Sequence, residues 1–361
     1  MSTGRWLAAL PETAEQSLPA PVWRFIAAGA RDGVATAEAV DAWSRYRVVP
    51  RVLRGAAPDP SVRLLGETYA SPLGVAPTAM QRAVHPDGEV ATVAAAAVAG
   101  VPYVAPVLAG RTFEEIGARA DRWWLQVYLP PDRAVAAPVI ERALEAGASA
   151  LVLTVDTPVV GTKYDVADED WATIDTSWHA ANWGPHDPHP WASDLVPADL
   201  TWLRAEFGVP VVAKGVLDPR DATACVDAGA AAVWVSNHGG RQLDRCVATA
   251  DALAGVADAV SSRAQVYVDG GVRSGLDVVT ALALGAHCAF VGRPALWALA
   301  VGGEAAVGRY LAEMAIEIAD AMQLAGLPAV SGAAREVALR PSAMAPLGAR
   351  ETTSDLREYP M

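Results

Sequence analysis

The sequence predicts an α/β fold of the (β/α)8 TIM barrel class, because strand-like and helix-like segments alternate eight times along it. The strand-like runs, apolar and rich in β-branched residues, are 72–77, 101–106, 122–128, 149–156, 209–215, 231–237, 264–271 and 286–293. Several of these runs have almost no polar alternation, which indicates strands buried on both faces and hence a parallel sheet. The segments between them carry apolar residues at helical spacing, and most end on Gly, which terminates helices.

An open doubly wound sheet is the alternative fold with the same alternation. That fold commonly carries the glycine fingerprint G-x-G-x-x-G directly after its first strand. No such fingerprint follows residues 72–77. The closed barrel is therefore the expected architecture.

Three segments lie outside the alternation. Residues 1–71 predict an N-terminal helical cap segment with two helices and a proline-punctuated connection, and residues 326–361 are left as a C-terminal tail. The barrel is expected to occupy residues 72–325 and to include a long loop, 157–197, after its fourth strand. This loop holds four of the 12 tryptophans of the chain, whereas linkers are poor in aromatic residues. We therefore expect it to order over an active site.

The composition excludes several classes of protein. The chain has 361 residues, 52% hydrophobic and 19% charged, which is typical of a globular protein and not of a disordered one. Its net charge of −13 has the wrong sign for a chain whose main partner is a nucleic acid or an anionic membrane surface. Cys225, Cys246 and Cys288 form no C-x-x-C pair and indicate buried thiols of a reducing compartment. Because no run of about 18 apolar residues is present, we expect a soluble cytoplasmic protein.

Polar and ionisable residues cluster where the apolar runs stop. In a (β/α)8 barrel the chemistry takes place at the carboxyl ends of the strands. The residues at these ends include Pro77, Thr78, Ala79, Gln126, Tyr128, Thr154, Asp156, Lys214, Ser236, His238, Arg241, Asp269, Gly271, Arg273, Gly292 and Arg293. Any one of them could cap a helix or satisfy a backbone group, but eight strands have no structural reason to converge on so many ionisable groups. This rim is the predicted active site.

The ends of the last two strands predict a phosphate-binding site. Asp269, Gly271 and Arg273 follow the seventh strand, and Gly292 and Arg293 follow the eighth. Flexible backbone N–H donors and two guanidinium groups meet there, where barrels commonly hold the phosphate of a ligand. The alternative is a pair of glycine-rich turns with surface arginines.

Lys214 lies in an otherwise apolar strand run. Burying an unpaired ammonium group would cost on the order of several kcal/mol, so the side chain must face an anion or be neutral. A Schiff-base lysine is the alternative role.

His238 is the best candidate for acid–base chemistry. It follows a strand and precedes two glycines and Arg241, a cation that can bind a carboxylate through two hydrogen bonds. A base beside such a group suits proton removal next to a carboxylate. Asp156 could stabilise the imidazolium that forms, and Tyr128 could donate to a hydroxyl group or a developing oxyanion. The alternatives are a helix cap for Asp156 and a packed ring for Tyr128.

The motif VSNHGGRQLD at 235–244 resembles the active-site signature of the FMN-dependent α-hydroxy acid oxidases and dehydrogenases. This family includes glycolate oxidase, lactate oxidase, the mandelate dehydrogenases and 4-hydroxymandelate oxidase. The similarity extends from about residue 20 to 325, in family order and near family spacing. The supporting blocks are APTAMQRAVHPDGE (76–89), LQVY (125–128), LTVDTPVVG (153–161), VVAKG (211–215), VDGGVRSGLDV (268–278) and VGRP (291–294).

The resemblance implies an enzyme that binds FMN and oxidises an (S)-2-hydroxy acid to the 2-oxo acid. In the family pattern the phosphate site belongs to FMN, and Lys214 lies near N1 and O2 of the flavin. The residues that would hold the ring are Pro77, Thr78, Ala79, Gln126, Thr154 and Ser236. The same pattern makes His238 the base, Asp156 its partner, Tyr128 the hydrogen-bond partner of the substrate hydroxyl and Arg241 the carboxylate clamp. Hydride transfer and carbanion formation are both compatible with these residues.

Three positions depart from the family pattern. Trp23 stands where a tyrosine usually touches the substrate carboxylate, Lys163 where a second arginine often lies, and Val107 where a serine is common. The first two changes would each weaken the binding of a small carboxylate by ~1–3 kcal/mol. We therefore expect a bulky or aromatic, mandelate-like substrate. The predicted substrate-binding residues are Trp23, Tyr128, Lys163, His238 and Arg241.

Two features favour O2 as the electron acceptor. Ala79 stands where some family dehydrogenases that reduce a membrane quinone have Gly, and the acidic run DVADED near the start of loop 157–197 is unsuited to a membrane anchor. We expect an oxidase that forms H2O2. The alternatives are a dehydrogenase with another acceptor, an FMN-barrel isomerase or nucleotide-type dehydrogenase, and an FMN-binding protein without turnover.

No metal is expected in the site. His179, His186 and His189 form the only histidine cluster in the sequence, and its proline-interrupted spacing is not a ligand pattern of a helix or strand. A homo-oligomer is expected from the resemblance alone.

Overall fold

The computed structural model describes residues 3–55, 57–174, 176, 181–183, 190–333 and 338–341. The described part of the first 71 residues forms three helices and three short strands. These are α1 Thr3–Ser17, α2 Ala20–Ala27, α3 Val34–Ser44, β1 Tyr46–Val49, β2 Val62–Leu64 and β3 Glu67–Tyr69. The two predicted helices correspond to α2 and α3, and α1 precedes them.

Eight further strands follow, and each overlaps one of the predicted apolar runs. They are β4 Leu73–Val75, β5 Val104–Pro106, β6 Trp123–Val127, β7 Ala148–Thr154, β8 Val211–Val216, β9 Ala232–Val235, β10 Gln265–Val268 and β11 Cys288–Val291. The helices are α4 Gln81–Val84, α5 Glu89–Ala99, α6 Phe113–Gly117, α7 Ala137–Glu145, α8 Asp168–Thr173, α9 Pro197–Phe207, α10 Pro219–Asp227, α11 Thr249–Val260, α12 Gly275–Ala283 and α13 Arg293–Ala325. Single 3-10 turns cover Arg133–Val135, His238–Gly240 and Val330–Gly332, and β12 covers Ala338–Pro341.

The eight strands form one closed parallel sheet. Their order is β4-β11-β10-β9-β8-β7-β6-β5, and every neighbouring pair in this order is parallel. A parallel bridge between Val75 and Tyr103 joins β4 to β5 and closes the ring. The predicted (β/α)8 barrel is confirmed, and the open doubly wound alternative is wrong.

Four aromatic side chains fill the interior of the barrel. Trp124, Trp234, Tyr267 and Phe290 are each at most 1% exposed, and the centroids of the Trp234 and Phe290 rings lie 4.0 Å apart. Close packing leaves no room beside these rings, because a Cβ atom on Gly74 of β4 would lie 2.4 Å from Phe290 Cε1. The rings therefore close the interior of the barrel below the carboxyl ends of its strands.

Two small sheets lie outside the barrel. Strands β1 and β12 pair antiparallel, as do β2 and β3. Residues 338–341 of the predicted tail are therefore ordered by pairing with β1. The division into cap, barrel and tail remains a prediction.

Several expectations from the composition can be compared with the described ranges. Within them, no helix combines the length and the apolar character that crossing a membrane requires. Cys225 and Cys288 are buried free thiols, but Cys246 is partly exposed, so the expectation of burial is wrong for that thiol. His179, His186 and His189 lie outside the described residues.

We predict that Gly74→Ala destabilises the protein by about 1–3 kcal/mol, because the added methyl group overlaps the Phe290 ring and Pro102. The midpoint of urea unfolding measures the effect. Gly308→Ala is the matched control, since nothing lies within 4 Å of its added Cβ and the residue sits within α13. That control should gain about 0.5–1 kcal/mol, as expected for Ala in place of Gly inside a helix. Equal midpoints for the two variants would contradict the packing argument.

Candidate active site

A cavity of about 380 Å³ opens at the carboxyl ends of the barrel strands. The predicted site residues that line it are Pro77, Thr78, Ala79, Gln126, Tyr128, Thr154, Lys163, Lys214, His238, Arg241, Asp269, Gly271, Arg273, Gly292 and Arg293. Asp156 and Ser236 are not part of the lining, but each is hydrogen-bonded to a residue that is. Parallel strands bring these ends together because their carboxyl termini share one edge of the sheet.

His238 and Asp156 form a hydrogen-bonded pair at the rim. His238 Nδ1 lies 2.9 Å from Asp156 Oδ1, and the backbone N–H of His238 donates to Ser236 Oγ at 3.1 Å. Burial alone would raise the pKa of Asp156, but His238 and Lys214 together hold it below its usual value. An ionised Asp156 keeps the proton on Nδ1, so that Nε2 is the nitrogen free to accept another proton.

Lys214 is part of a second buried polar group. Its Nζ lies 3.1 Å from Asp269 Oδ2 and donates to Ser236 Oγ at 3.0 Å, and Ser236 in turn donates to Asp269 Oδ1 at 2.6 Å. The lysine therefore has the anionic partner that its burial predicts. An ion pair is a poor setting for the neutral amine that a Schiff base requires, so the structure favours the first of the two predicted roles.

Three half-buried guanidinium groups line the cavity, and none of them has an ion-pair partner among the described residues. In the described part of the chain, none of the guanidinium groups of Arg241, Arg273 and Arg293 forms an ion pair with a carboxylate, and Asp277 Oδ2 accepts from the backbone N–H of Arg273 at 2.9 Å. Burial and the charges of its two arginine neighbours lower the pKa of Arg293 to about 9, and burial lowers that of Arg241 to about 10. The direction of these shifts agrees with the absence of an ion-pair partner. The site therefore fits an anionic ligand.

The arginines are held in place by backbone carbonyl groups and aromatic rings. Arg241 Nη1 donates to the carbonyl groups of Phe25 and Ala28, both at 2.8 Å, and its guanidinium group lies over the Phe25 ring at 4.8 Å. Arg293 donates to the carbonyl group of Gly239 at 2.9 Å. The guanidinium group of Arg273 lies 5.0 Å from the centre of the Trp297 ring. These contacts orient the cations and leave their charge available to a ligand.

Tyr128 projects into the cavity beside an aromatic wall. Burial and the charge of Asp156 raise its pKa well above the usual value, so the phenol stays protonated and can donate a hydrogen bond. Its ring centroid lies 5.1 Å from that of Trp191. Phe25 and Trp171, whose ring centroids are 5.0 Å apart, also line the cavity. Trp171 and Trp191 belong to the predicted loop 157–197.

The prediction that Trp23 lines the substrate site is wrong. Trp23 packs against the core as a partly buried residue, and Phe25 lines the cavity instead. Both residues lie on α2, and two residues correspond to about 200° around a helix, so the two rings face different sides. Val107 is also absent from the lining, which includes the next residue, Leu108.

Residues that sequence reasoning missed include Phe25, Leu108 and Trp191. Ile26 of α2 also lines the cavity. Adjacent residues of a helix point about 100° apart, so helical periodicity does not predict that Phe25 lines the same cavity. The tryptophan content of the loop was the available signal for Trp191. No signal identified Leu108.

Lys163 contributes a further cation. Its Nζ donates to the carbonyl oxygen of Gly161 at 2.8 Å, and the residue lines the cavity. Burial and the nearby charge of Arg241 lower its pKa to about 8. The ammonium group therefore titrates in a range where enzymes are assayed.

The closed barrel and its cationic rim fit an enzyme that binds a phosphorylated cofactor and an acid substrate. The profile of the FMN-dependent dehydrogenase family matches residues 14–340. The chain is 40% identical to 4-hydroxymandelate oxidase from Amycolatopsis orientalis, with 91% of this chain and 96% of the relative covered. It is 36% identical to L-lactate oxidase from Nostoc sp., over 87% of this chain and 92% of that one. The chain therefore belongs to the family of FMN-dependent 2-hydroxy acid oxidases and dehydrogenases, and its cofactor is FMN.

Solved structures agree with this assignment. Crystal structures of mandelate oxidase with (S)-2-phenylpropionate and with benzoyl-formic acid are both 38% identical to this chain. They cover 93% of it and 98% of their own chains, with TM-scores of 0.87 and 0.86. The cavity guanidinium groups, which have no ion-pair partner among the described residues, agree with a cofactor that carries a phosphate.

We predict that the protein binds FMN about 100-fold more tightly than riboflavin, which lacks the phosphate. Each charge-assisted hydrogen bond to a phosphate is worth about 1.5–3 kcal/mol. Arg273→Met should therefore reduce this preference about tenfold or more. Titration of the apoprotein followed by flavin fluorescence measures both dissociation constants. Arg263→Met, at an exposed ion pair with Asp227, is the control and should leave the preference unchanged. An undiminished preference in Arg273→Met would place the phosphate elsewhere.

Proposed function

We propose that the enzyme oxidises an (S)-2-hydroxy acid with a bulky or aromatic side chain to the 2-oxo acid, and that O2 is reduced to H2O2. The carrying observation is the aromatic wall of Phe25, Trp171 and Trp191 on the cavity that also holds His238 and Arg241. A small acid such as glycolate would leave that wall without a contact. An aryl group would bury apolar surface against it, worth about 25 cal/mol per Å².

The proposed chemistry assigns one task to each polar residue of the rim. Arg241 and Lys163 bind the substrate carboxylate, and Tyr128 donates a hydrogen bond to the 2-hydroxyl oxygen. His238 accepts the proton that the substrate releases, and Asp156 stabilises the resulting imidazolium. FMN, when bound, accepts the two electrons of the oxidation and passes them to O2. The hydroxy acid thus loses two hydrogens in all, which reappear in H2O2.

The same proposal assigns the remaining rim residues to the cofactor. Arg273 and Arg293, with the glycine-rich backbone around them, would hold the phosphate, and Lys214 would face the flavin ring. The full proposed set is Pro77, Thr78, Ala79, Gln126, Thr154, Lys214, Ser236, Asp269, Gly271, Arg273, Gly292 and Arg293. All of these residues except Ser236 line one continuous cavity, and Ser236 accepts a hydrogen bond from Lys214, which supports the assignment.

Two observations support a bulky substrate over glycolate. Phe25 offers the cavity a ring without a hydroxyl group, and Lys163 offers a single ammonium rather than a forked guanidinium. The relatives named 4-hydroxymandelate oxidase and mandelate oxidase are among the most similar proteins. Affinity for the side chain would then compensate for a weaker hold on the carboxylate.

We predict that (S)-mandelate is turned over with a kcat/KM at least tenfold higher than that of glycolate or L-lactate. Hydrogen peroxide should accumulate in aerobic buffer without any added acceptor. Production of 2-oxo acid only with an artificial acceptor would favour the dehydrogenase alternative. Flavin that no hydroxy acid bleaches under anaerobic conditions would favour a binding protein without turnover.

The contribution of the aromatic wall can be isolated with a pair of variants. Trp171→Ala should raise the KM for mandelate about tenfold and change the kinetics of lactate by less than threefold, because only the aryl group reaches the wall. Trp202→Ala is the matched control, since Trp202 packs on Phe207 of α9 and does not line the cavity. Equal effects of Trp171→Ala on both substrates would remove the basis for aryl selectivity.

We predict that kcat/KM for the hydroxy acid falls as the pH rises through about 8, the pKa of Lys163. The ammonium group is charged below this pH and neutral above it, whereas the substrate carboxylate is ionised throughout. Lys163→Arg should abolish this fall, since a guanidinium stays charged. Lys163→Met should lower kcat/KM at pH 7 about tenfold and show no fall near pH 8. Identical pH profiles in wild type and Lys163→Met would exclude Lys163 from carboxylate binding.

A further inference from the structure

The barrel closes at a seam with few hydrogen bonds. Strands β4 and β5 are joined by the single bridge between Val75 and Tyr103, and the N–H of Val75 donates to the carbonyl group of Pro102 at 2.8 Å. Every other neighbouring pair of barrel strands shares at least two residue pairs. On the other side of β4 the N–H of Ala76 donates to the carbonyl group of Val291 in β11 at 2.9 Å, so the sheet supports the residues that leave β4 on one side only.

One wall of the cavity begins at this seam. Residues 76–80 continue directly from β4, and all five line the cavity. The segment ends at Met80, which is 3% exposed and has a φ of 69°, in the left-handed region. A side chain larger than Gly adopts this conformation only where its surroundings impose it. Some neighbouring group must hold the wall in place.

The side chain of Gln81 supplies that support from behind the wall. It is completely buried, and its Nε2 donates to the carbonyl oxygen of Thr78 at 3.1 Å and to the hydroxyl oxygen of Tyr103 at 3.3 Å. Its Oε1 accepts a hydrogen bond from Thr92 Oγ1 at 2.6 Å. These partners lie on the cavity wall, next to β5 and on α5. One amide therefore ties the wall across the weakly bonded seam.

Directional bonds explain why an amide occupies this buried position. An apolar side chain of similar size would fill the space and avoid the desolvation of polar atoms. Fully paired, the amide instead fixes the distance and orientation of each partner. Gln81 does not line the cavity itself, so any effect on a ligand must pass through the wall residues, and its direct hydrogen bond is to Thr78.

We infer that Gln81 is a positioning residue for FMN: its amide holds the cavity wall at residues 76–80 in the conformation that cofactor binding requires. This inference rests on the proposed placement of Pro77, Thr78 and Ala79 against the flavin. Loss of the amide should loosen the wall, weaken the binding of FMN and change the environment of the flavin ring.

Gln81→Met tests the inference, because methionine has a similar length and volume but no hydrogen-bonding amide. We expect its dissociation constant for FMN to rise at least tenfold and the visible absorption bands and reduction potential of the bound flavin to shift. The readouts are flavin fluorescence during titration of the apoprotein, and the spectrum and potential of the holoenzyme. Unchanged affinity, spectrum and potential in Gln81→Met would overturn the inference.

Gln265→Met is the matched control. Gln265 also makes three hydrogen bonds, accepting from Leu65 N–H and Tyr267 Oη and donating to the carbonyl group of Arg63, but it lies at the start of β10, at the opposite end of the barrel. The Gln265→Met variant should have a lower thermal unfolding midpoint as apoprotein, while its affinity for FMN stays within twofold of that of the wild type. Equal losses of FMN affinity in the two variants would show a general effect of stability and would contradict a positioning role.

Thr92→Val provides a milder second variant should Gln81→Met not fold. It removes the bond to Gln81 Oε1 and the longer one, at 3.4 Å, to the carbonyl oxygen of Gly88. We expect a shift in FMN affinity and spectrum of the same sign, about threefold in affinity. No shift in this variant would overturn the inference. If the wild-type protein binds FMN but no hydroxy acid reduces the bound flavin, the proposed function is refuted. The test of Gln81 remains valid, because it measures FMN binding and not turnover.

Discussion

The hydrogen bond between His238 and Asp156 is the contact on which the rest of the site depends. It joins residues 82 positions apart in the chain, which meet only because β8 lies between β7 and β9 in the closed sheet. The register of β8 against β9 shifts between Lys214 and Val216. Gly215, at the shift, has a φ of 113°, and a Cβ atom there would lie 2.6 Å from Asp156 Cβ. The bulge therefore makes room for the carboxylate that orients the imidazole.

The charge distribution links the stability of the empty site to its ligands. The guanidinium groups of Arg241, Arg273 and Arg293 share one cavity and form no ion pair within the described residues, whereas Lys214 is paired with Asp269. Incomplete compensation of buried cations opposes folding, and an anion that binds only the folded state removes that opposition. A phosphorylated cofactor and an acid substrate would thus stabilise the same rim that they occupy. The chain as a whole carries a net charge of −13, so this positive charge is confined to the cavity.

The sequence predicts this site well wherever a residue follows the end of a strand. The end of an apolar run locates His238 and Lys214 at the rim, since eight parallel strands end at one edge. The same reasoning fails on helices, as the exchange of Trp23 for Phe25 shows, because an error of two residues turns a side chain to another face. It also fails for Gln81, whose importance depends on a seam between the first and second strands that only the three-dimensional closure reveals. The fold could therefore be predicted almost completely, and the lining of the cavity only where strands supply it.

The two groups of cavity residues were predicted unequally because they lie on different kinds of element. Strand ends supply His238, Lys214, Arg273 and Arg293, and the positions of these residues are constrained by the register of the whole sheet. The apolar wall comes from α2 and from the loop after β7, which are attached at their ends and carry Phe25, Trp171 and Trp191. We expect substitutions of these three rings to change the wall of the cavity and to leave the His238–Asp156 bond in place, since none of the rings takes part in it. A change of substrate therefore requires few changes in the barrel, whereas a change of chemistry would require a new set of strand ends.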